Sequence, residues 1–421
     1  MLLTIDADCL TAVVEVVDPG DMLPLALTCV TLRDACVVRA DANRVDGAPR
    51  WVTDAASSVA RVKWATGVMG ATPTIQWCRA AAKHGNKTLL IYLRSWFQLP
   101  LDSTVLASAA EGGHVDLMAW LRRRGVMWDE KVCSAAAAGG QLSVLQWLRS
   151  QDPPCPWDDD TCFAAARSEH LTVLQWLRSQ DPPCPWEERT CYAAAIRENL
   201  TILQWLRSQD PPCPWDKHTC SAAAMGGHLT VLQWLRSQDP PCPWDDGTCS
   251  AAAESGHLTM LQWLRSQHPP CPWNEYVCYT AIRSGHLPVL QWLRSQDPPC
   301  PWDPFESLCA HFNWAKLGKN GGLNLSLLQW VRSEEPLCTL HDFFCSDAAA
   351  LGQLDVLQWL RSQDCPWNRQ VVCNLAAAKG HLSVLQWVTS SHRGRWDKKH
   401  CLSLAHTQGH ASVVEWIQSQ L

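Results

Sequence analysis

LRSQDPPCPWDDDTCFAAARSEHLTVLQW, residues 148–176, is one copy of a unit that recurs through most of the chain, and its reading decides the fold. The run Pro153-Pro154-Cys155-Pro156 cannot continue a helix, because proline lacks the N–H and clashes with the preceding turn; it is the connector. Asp158 follows as an N-cap. Thr161 to Ser168 is an Ala-rich helical run. Glu169-His170 interrupts it, and the same place in another copy is Gly256-His257, a suitable helix end. Leu171 to Gln180 forms a second helix whose Leu171, Leu174, Trp176 and Leu177 share one face at helical spacing.

The tryptophans set the period. Trp147, Trp176, Trp205, Trp234, Trp263 and Trp292 are each 29 residues apart; a 38-residue step leads to Trp330, and Trp359, Trp387 and Trp416 follow. Upstream, Trp120, Tyr92 and Trp64 continue the series. Self-similarity at a fixed period of this size is the mark of a solenoid. One pair of short helices cannot bury its apolar side, and stacking neighbours removes that problem. The expected fold is therefore all-α, a helical-repeat solenoid of about twelve helix pairs behind a small helical N-terminal cap. The copying also explains 25 Trp and 22 Cys beside 4 Tyr and 6 Phe. Both repeated types are expected to hold the scaffold by packing.

The string A-A-x-x-G-H-L-x-V-L-x-W-L resembles the helical half of the ankyrin repeat. Ala165, Ala166, His170, Leu171, Val173, Leu174 and Leu177 carry it, with Trp176 replacing an aliphatic residue. The unit departs from the family in being shorter and in having Asp160-Thr161-Cys162-Phe163 where ankyrins have Thr-Pro-Leu-His. The resemblance implies an ankyrin-like array over residues 47–421 whose first-helix and connector side faces a protein partner.

Each central copy holds two cysteines seven apart, such as Cys155 and Cys162. Stacked helices lie about 8–10 Å apart, so thiols of the next copy are expected to be too distant for a shared zinc or a disulfide. Val126 and Leu106 stand in cysteine columns of outer copies, as befits small core residues rather than ligands. A thiol-based metal or redox protein is the rival reading from another class. The recurrent His170, His228, His257, His286 and His381 become Gln141 or Asn199 elsewhere, which fits a polar turn residue satisfying backbone groups. No motif of a nucleophile elbow, phosphate loop or zinc protease is present. The chain is expected not to be an enzyme and to need no cofactor.

Across the five central copies, leaving aside a Val/Ile/Met core column, three or more residue types occur in only six columns: three just after Pro-Trp and three in the first helix. One holds Asp160, Arg189, His218, Gly247 and Tyr276. A second holds Phe163, Tyr192, Ser221, Ser250 and Tyr279. A third holds Arg167, Ile196, Met225, Glu254 and Arg283. Their i, i+3, i+7 spacing is one helical stripe, rich in the side chains that anchor interfaces. Arg178, Ser179 and Gln180 are uniform in all five copies and were expected to be equally exposed, so drift alone would not single out the first helix. The stripe is the candidate partner-binding face.

Residues 1–46 lack the repeat. The segment L-T-A-V-V-E-V-V-D-P-G-D-M-L-P-L-A-L-T-C-V-T-L-R, starting at Leu10, resembles an F-box through Leu10, Val13, Pro19, Leu23, Leu27 and Leu32, without the family's leading Leu-Pro. The resemblance implies docking on the adaptor subunit of a cullin-type ubiquitin ligase, with the repeats selecting its substrate. An insertion between Trp302 and Trp330 carries Phe312 and Trp314. The net charge of −6 offers no basic field, so neither nucleic acid nor an anionic membrane is expected as partner. No signal-like start or spanning apolar run is visible; a monomer in the cytoplasm or nucleus is expected.

Overall fold

The computed structural model describes residues 44–45, 48–49, 59–68, 72–302, 325–334, 340–391 and 396–420. The F-box-like residues Leu10 to Leu32, and Phe312 and Trp314, lie outside the described residues. Apart from a two-residue ladder pairing Arg44–Val45 with Ala48–Pro49, the described secondary structure is helical, as the period requires.

The chain divides into two compact units, Met1–Trp215 and Asp216–Leu421. Each is a repeat solenoid of helix pairs. In the first unit Ile75–Lys83, Ser103–Glu111, Glu130–Ala138, Asp159–Arg167 and Glu188–Ala195 pack in succession, and each also packs on the second helix of its own pair. In the second unit Lys217–Gly226, Asp246–Glu254 and Glu275–Arg283 form one such row, and Asp342–Ala350, Arg369–Ala378 and Lys398–Thr407 another. Small alanines on the first helix permit this close stacking: Ala165 and Ala166 are wholly buried, as are Leu174 and Leu177 of the second helix.

Helix boundaries differ from the sequence expectation for a local reason. The first helix begins at Asp159, because Asp158 takes the extended N-cap conformation. The second helix, Leu171–Arg178, ends two residues before Gln180. There Ser179 Oγ and Gln180 Nε2 both donate to the Trp176 carbonyl, at 2.9 and 3.1 Å, beside the bond it accepts from the Ser179 N–H at 3.1 Å, and these local bonds hold the helix end.

Trp77 and Trp120 are buried in the core, but the tryptophans of the central copies are not. Trp157 and Trp176 are half-buried and meet edge to face, centroids 6.1 Å apart at 76°. Trp186 and Trp205 repeat the contact at 6.1 Å and 75°. An arginine from the preceding second helix closes the connectors of the central copies. Arg178 lies 3.9 Å over the Trp186 ring and donates to the Cys184 carbonyl at 2.7 Å; Arg236 does the same to Trp244, at 3.9 Å, and to the Cys242 carbonyl. The uniform Arg-Ser-Gln is therefore not an idle exposed surface. Each of its residues clasps the connector or the helix end, which corrects the use of that triplet as a drift control.

Histidine staples one pair to the next. His170 Nε2 donates to the carbonyl of Ala138, the last residue of the previous first helix, at 3.2 Å; His286 reaches Glu254 at 3.1 Å and His381 reaches Ala350 at 3.0 Å. The ring sits over a glycine of the previous turn. A Cβ on Gly140, whose φ is +69°, would lie 2.7 Å from the His170 ring, so glycine suits this turn, although Glu169 and Glu198 hold the same place in the next two copies at φ +67° and +60°.

Candidate partner-binding face

Chemistry-bearing residues fall into two groups: cysteines inside the stack and the variable stripe outside it. The cysteines are buried and free among the described residues. Their arrangement overturns one expectation. The connector cysteine of one copy folds under the arginine clasp and meets the helix cysteine of the copy before it. Cys184 Sγ lies 3.3 Å from the Asp158 carbonyl, and Cys162 Sγ lies 3.9 Å from the Cys184 carbonyl. Thiols of successive copies are thus neighbours, because the connector, not the helix axis, sets their spacing. Hydrogen bonding to the partner thiol, then burial, pushes Cys155, Cys184, Cys213, Cys271 and Cys300 far up. A protonated thiol is a poor ligand and nucleophile. Among the described residues no three His, Cys, Asp or Glu are placed to hold a metal ion.

The stripe lies at the surface. In the first unit Asp160, Arg167 and Arg189 are exposed, while Phe163, Tyr192 and Ile196 are half-buried. Cys162 and Ala165, between them in sequence, are wholly buried. Neighbouring copies touch through the stripe. Arg189 Nη1 pairs with Asp160 Oδ1 at 2.9 Å and lies 4.7 Å over the Phe163 ring. Phe163, Arg167, Tyr192 and Ile196, with Ala193 and Arg197, line a cleft of about 370 Å³. In the second unit His218 and Met225 are exposed on Lys217–Gly226. Arg283 pairs with Glu254, and Tyr276, 53% exposed, stacks on Tyr279 at 5.2 Å.

Arg197 was not among the three stripe columns. Its own column is one of the six variable ones, holding Ser168, Arg197, Gly226, Ser255 and Ser284, so a lone arginine among small residues was the available signal. What hid it is its position after the helix, where the i, i+3, i+7 rule ends.

No protein-family model matches the chain, and no curated protein matches it. Solved structures similar in outline include the pentatricopeptide repeat protein PPR10 in complex with an 18-nt psaJ RNA element, with TM-score 0.42 and 15% identity over 99% of this chain and 68% of that one. PPR10 from maize is similar at TM-score 0.37 and 14% identity, over 100% of this chain and 68% of that one. The class defined by fold and surface is a helical-repeat scaffold.

These neighbours correct one expectation. Excluding nucleic acid because the chain is acidic does not stand, since a helical-repeat protein of similar outline is seen holding RNA. Net charge describes the whole surface, whereas a ligand meets one groove of it. Among the described residues no helix is long and apolar enough to cross a membrane.

Proposed function

We propose that this chain is a protein-binding scaffold with no catalytic activity, and that the first-helix faces of its two units carry the recognition. One observation supports this most. The uniform Arg, Ser, Gln and Cys columns and the mostly His column have structural tasks inside the repeat, whereas the Asp160, Phe163 and Arg167 columns are largely accessible and diversified. Aromatic, arginine and methionine side chains on such a face are the usual interface anchors. The ankyrin resemblance supports the same side of the repeat.

The F-box-like string supports a finer reading, in which the N-terminal segment docks on a cullin-type ligase adaptor and the repeats present a substrate to it. A pull-down with purified adaptor tests that step. Leu23→Ala with Leu27→Ala is expected to abolish adaptor capture and leave partner capture by the repeats intact. Equal capture by wild type and variant would remove the ligase role and leave the scaffold. The partner face itself is tested by cross-linking capture with Tyr192→Ser and Tyr279→Ser. Serine already stands in that column as Ser221 and Ser250, so the array accommodates the change.

A further inference from the structure

The stripe is not uniform in its readiness for a ligand. Arg283 is neutralised by Glu254, and Arg189 by Asp160. Tyr276 and Tyr279 cover one another. The cleft between Asp159–Arg167 and Glu188–Ala195 differs. Its floor is apolar, formed by Phe163, Tyr192, Ala193 and Ile196, and Arg167 and Arg197 stand on its lining. Both arginines are exposed, and among the described residues neither makes an ion pair. Two like charges sharing one opening without a carboxylate repel each other, and a bound anion relieves that repulsion.

From this we infer that the cleft seats one bulky apolar side chain of a peptide whose flanking residues are acidic. The assignment rests on the protein-binding reading above. A volume of about 370 Å³ lies near the lower end of the range for ligand pockets, about 300–1,000 Å³, which suits one anchor side chain. Carboxylates on either side of that anchor complement Arg167 and Arg197, and guanidinium forks match carboxylate geometry.

A single-stranded nucleic acid uses the same residue types differently. It needs open ring faces and a continuous basic track. Here one face of Phe163 is covered by the Arg189 guanidinium. The first turns of the two helices add Asp159, Asp160 and Glu188 beside the cleft's connector end. Their carboxylates interrupt a phosphate path, whereas a peptide needs acidic residues only where they meet Arg167 and Arg197.

The test is selection of a randomised short-peptide library on the full chain, followed by anisotropy titration of the enriched peptide. Enriched sequences are expected to place Phe, Trp or Leu beside Asp or Glu. Arg167→Glu with Arg197→Glu, both on exposed side chains, is expected to weaken binding by more than tenfold, and Tyr192→Ser by about tenfold. Tyr279→Ser, in the other unit, is expected to leave it unchanged. Enrichment of basic or uncharged peptides, or affinity indifferent to the charge reversal, overturns the assignment. So does tighter binding of a labelled single-stranded RNA that the same reversal abolishes, which would make the cleft an RNA site. Partner capture that Tyr192→Ser with Tyr279→Ser abolishes while the charge reversal leaves it intact would refute the cleft alone; capture indifferent to both would refute the face as well.

Discussion

Raising the pH from 8 to above 10 is expected to unfold the repeat array. The cause is the paired thiols. Cys155, Cys184, Cys213, Cys271 and Cys300 are each held well above the ordinary thiol value by a hydrogen bond to the partner thiol and by burial. Towards the chain ends burial pushes Cys78 and Cys373 up to about 11, and Cys401 to about 12. A raised folded-state pKa means that the folded protein keeps a proton which the unfolded chain gives up. The contribution is therefore complete below about pH 8.5, where both states are protonated, and it is lost as pH rises further. Each such group costs about 1.4 kcal/mol per pH unit in that window. The five groups act in the same direction, each on its own part of the array. Circular dichroism during alkaline titration measures the midpoint. Valine at the five connector positions, a residue already buried in that column as Val126, is expected to move the midpoint upward. An unmoved midpoint would show that the thiols do not govern alkaline stability.

Leu174→Ala is expected to destabilise its part of the array by about 2–5 kcal/mol. Leu174 is wholly buried in Leu171–Arg178, and its removal leaves a cavity that rigid stacked helices cannot close. Gln175→Ala, one residue on and exposed, is expected to change stability by no more than about 0.5 kcal/mol. Because each repeat contacts mainly its neighbours, the leucine loss should be local. Hydrogen exchange should quicken through Glu130–Ala138, Asp159–Arg167 and Glu188–Ala195 and stay unchanged near Lys398–Thr407. Uniform quickening would contradict a nearest-neighbour array.

The helix pairs were readable because proline, glycine and a 3.6-residue pattern act within one unit, and Asp158 and Leu174 alone place both helices. What joins unit to unit was less visible. His170 shows in sequence as a polar turn residue, but its acceptor is Ala138, in the previous pair. Cys162 and Cys184 look remote when copies are spaced as bare helices, yet the folded connector brings them together. Trp176 has the composition of a core residue and the position of an outer one. Arg178 looked like free surface until its bond to the Cys184 carbonyl was visible. The histidine and cysteine contacts run between copies, which periodicity within one copy does not encode, and the arginine and tryptophan contacts depend on how the proline-rich connector folds back inside a copy, which helical periodicity does not encode either. The stripe was legible for the complementary reason: residues without a task in the scaffold are the ones that differ between copies.

Cross-linking capture from cell extract, run in parallel on three forms of the full chain, tests the central claim most directly. The forms are the wild type, Tyr192→Ser with Tyr276→Asp and Tyr279→Ser on the first-helix face, and Thr172→Ala with Gln175→Ala on the exposed outer side of the second helix. Aspartate stands at the Tyr276 position in the copy containing Asp160, so all three first-helix changes are ones the repeat already tolerates. The predicted result is a partner retained by the wild type and the second-helix form and lost by the first-helix form. Loss on the second-helix form with retention on the first-helix form would contradict the account.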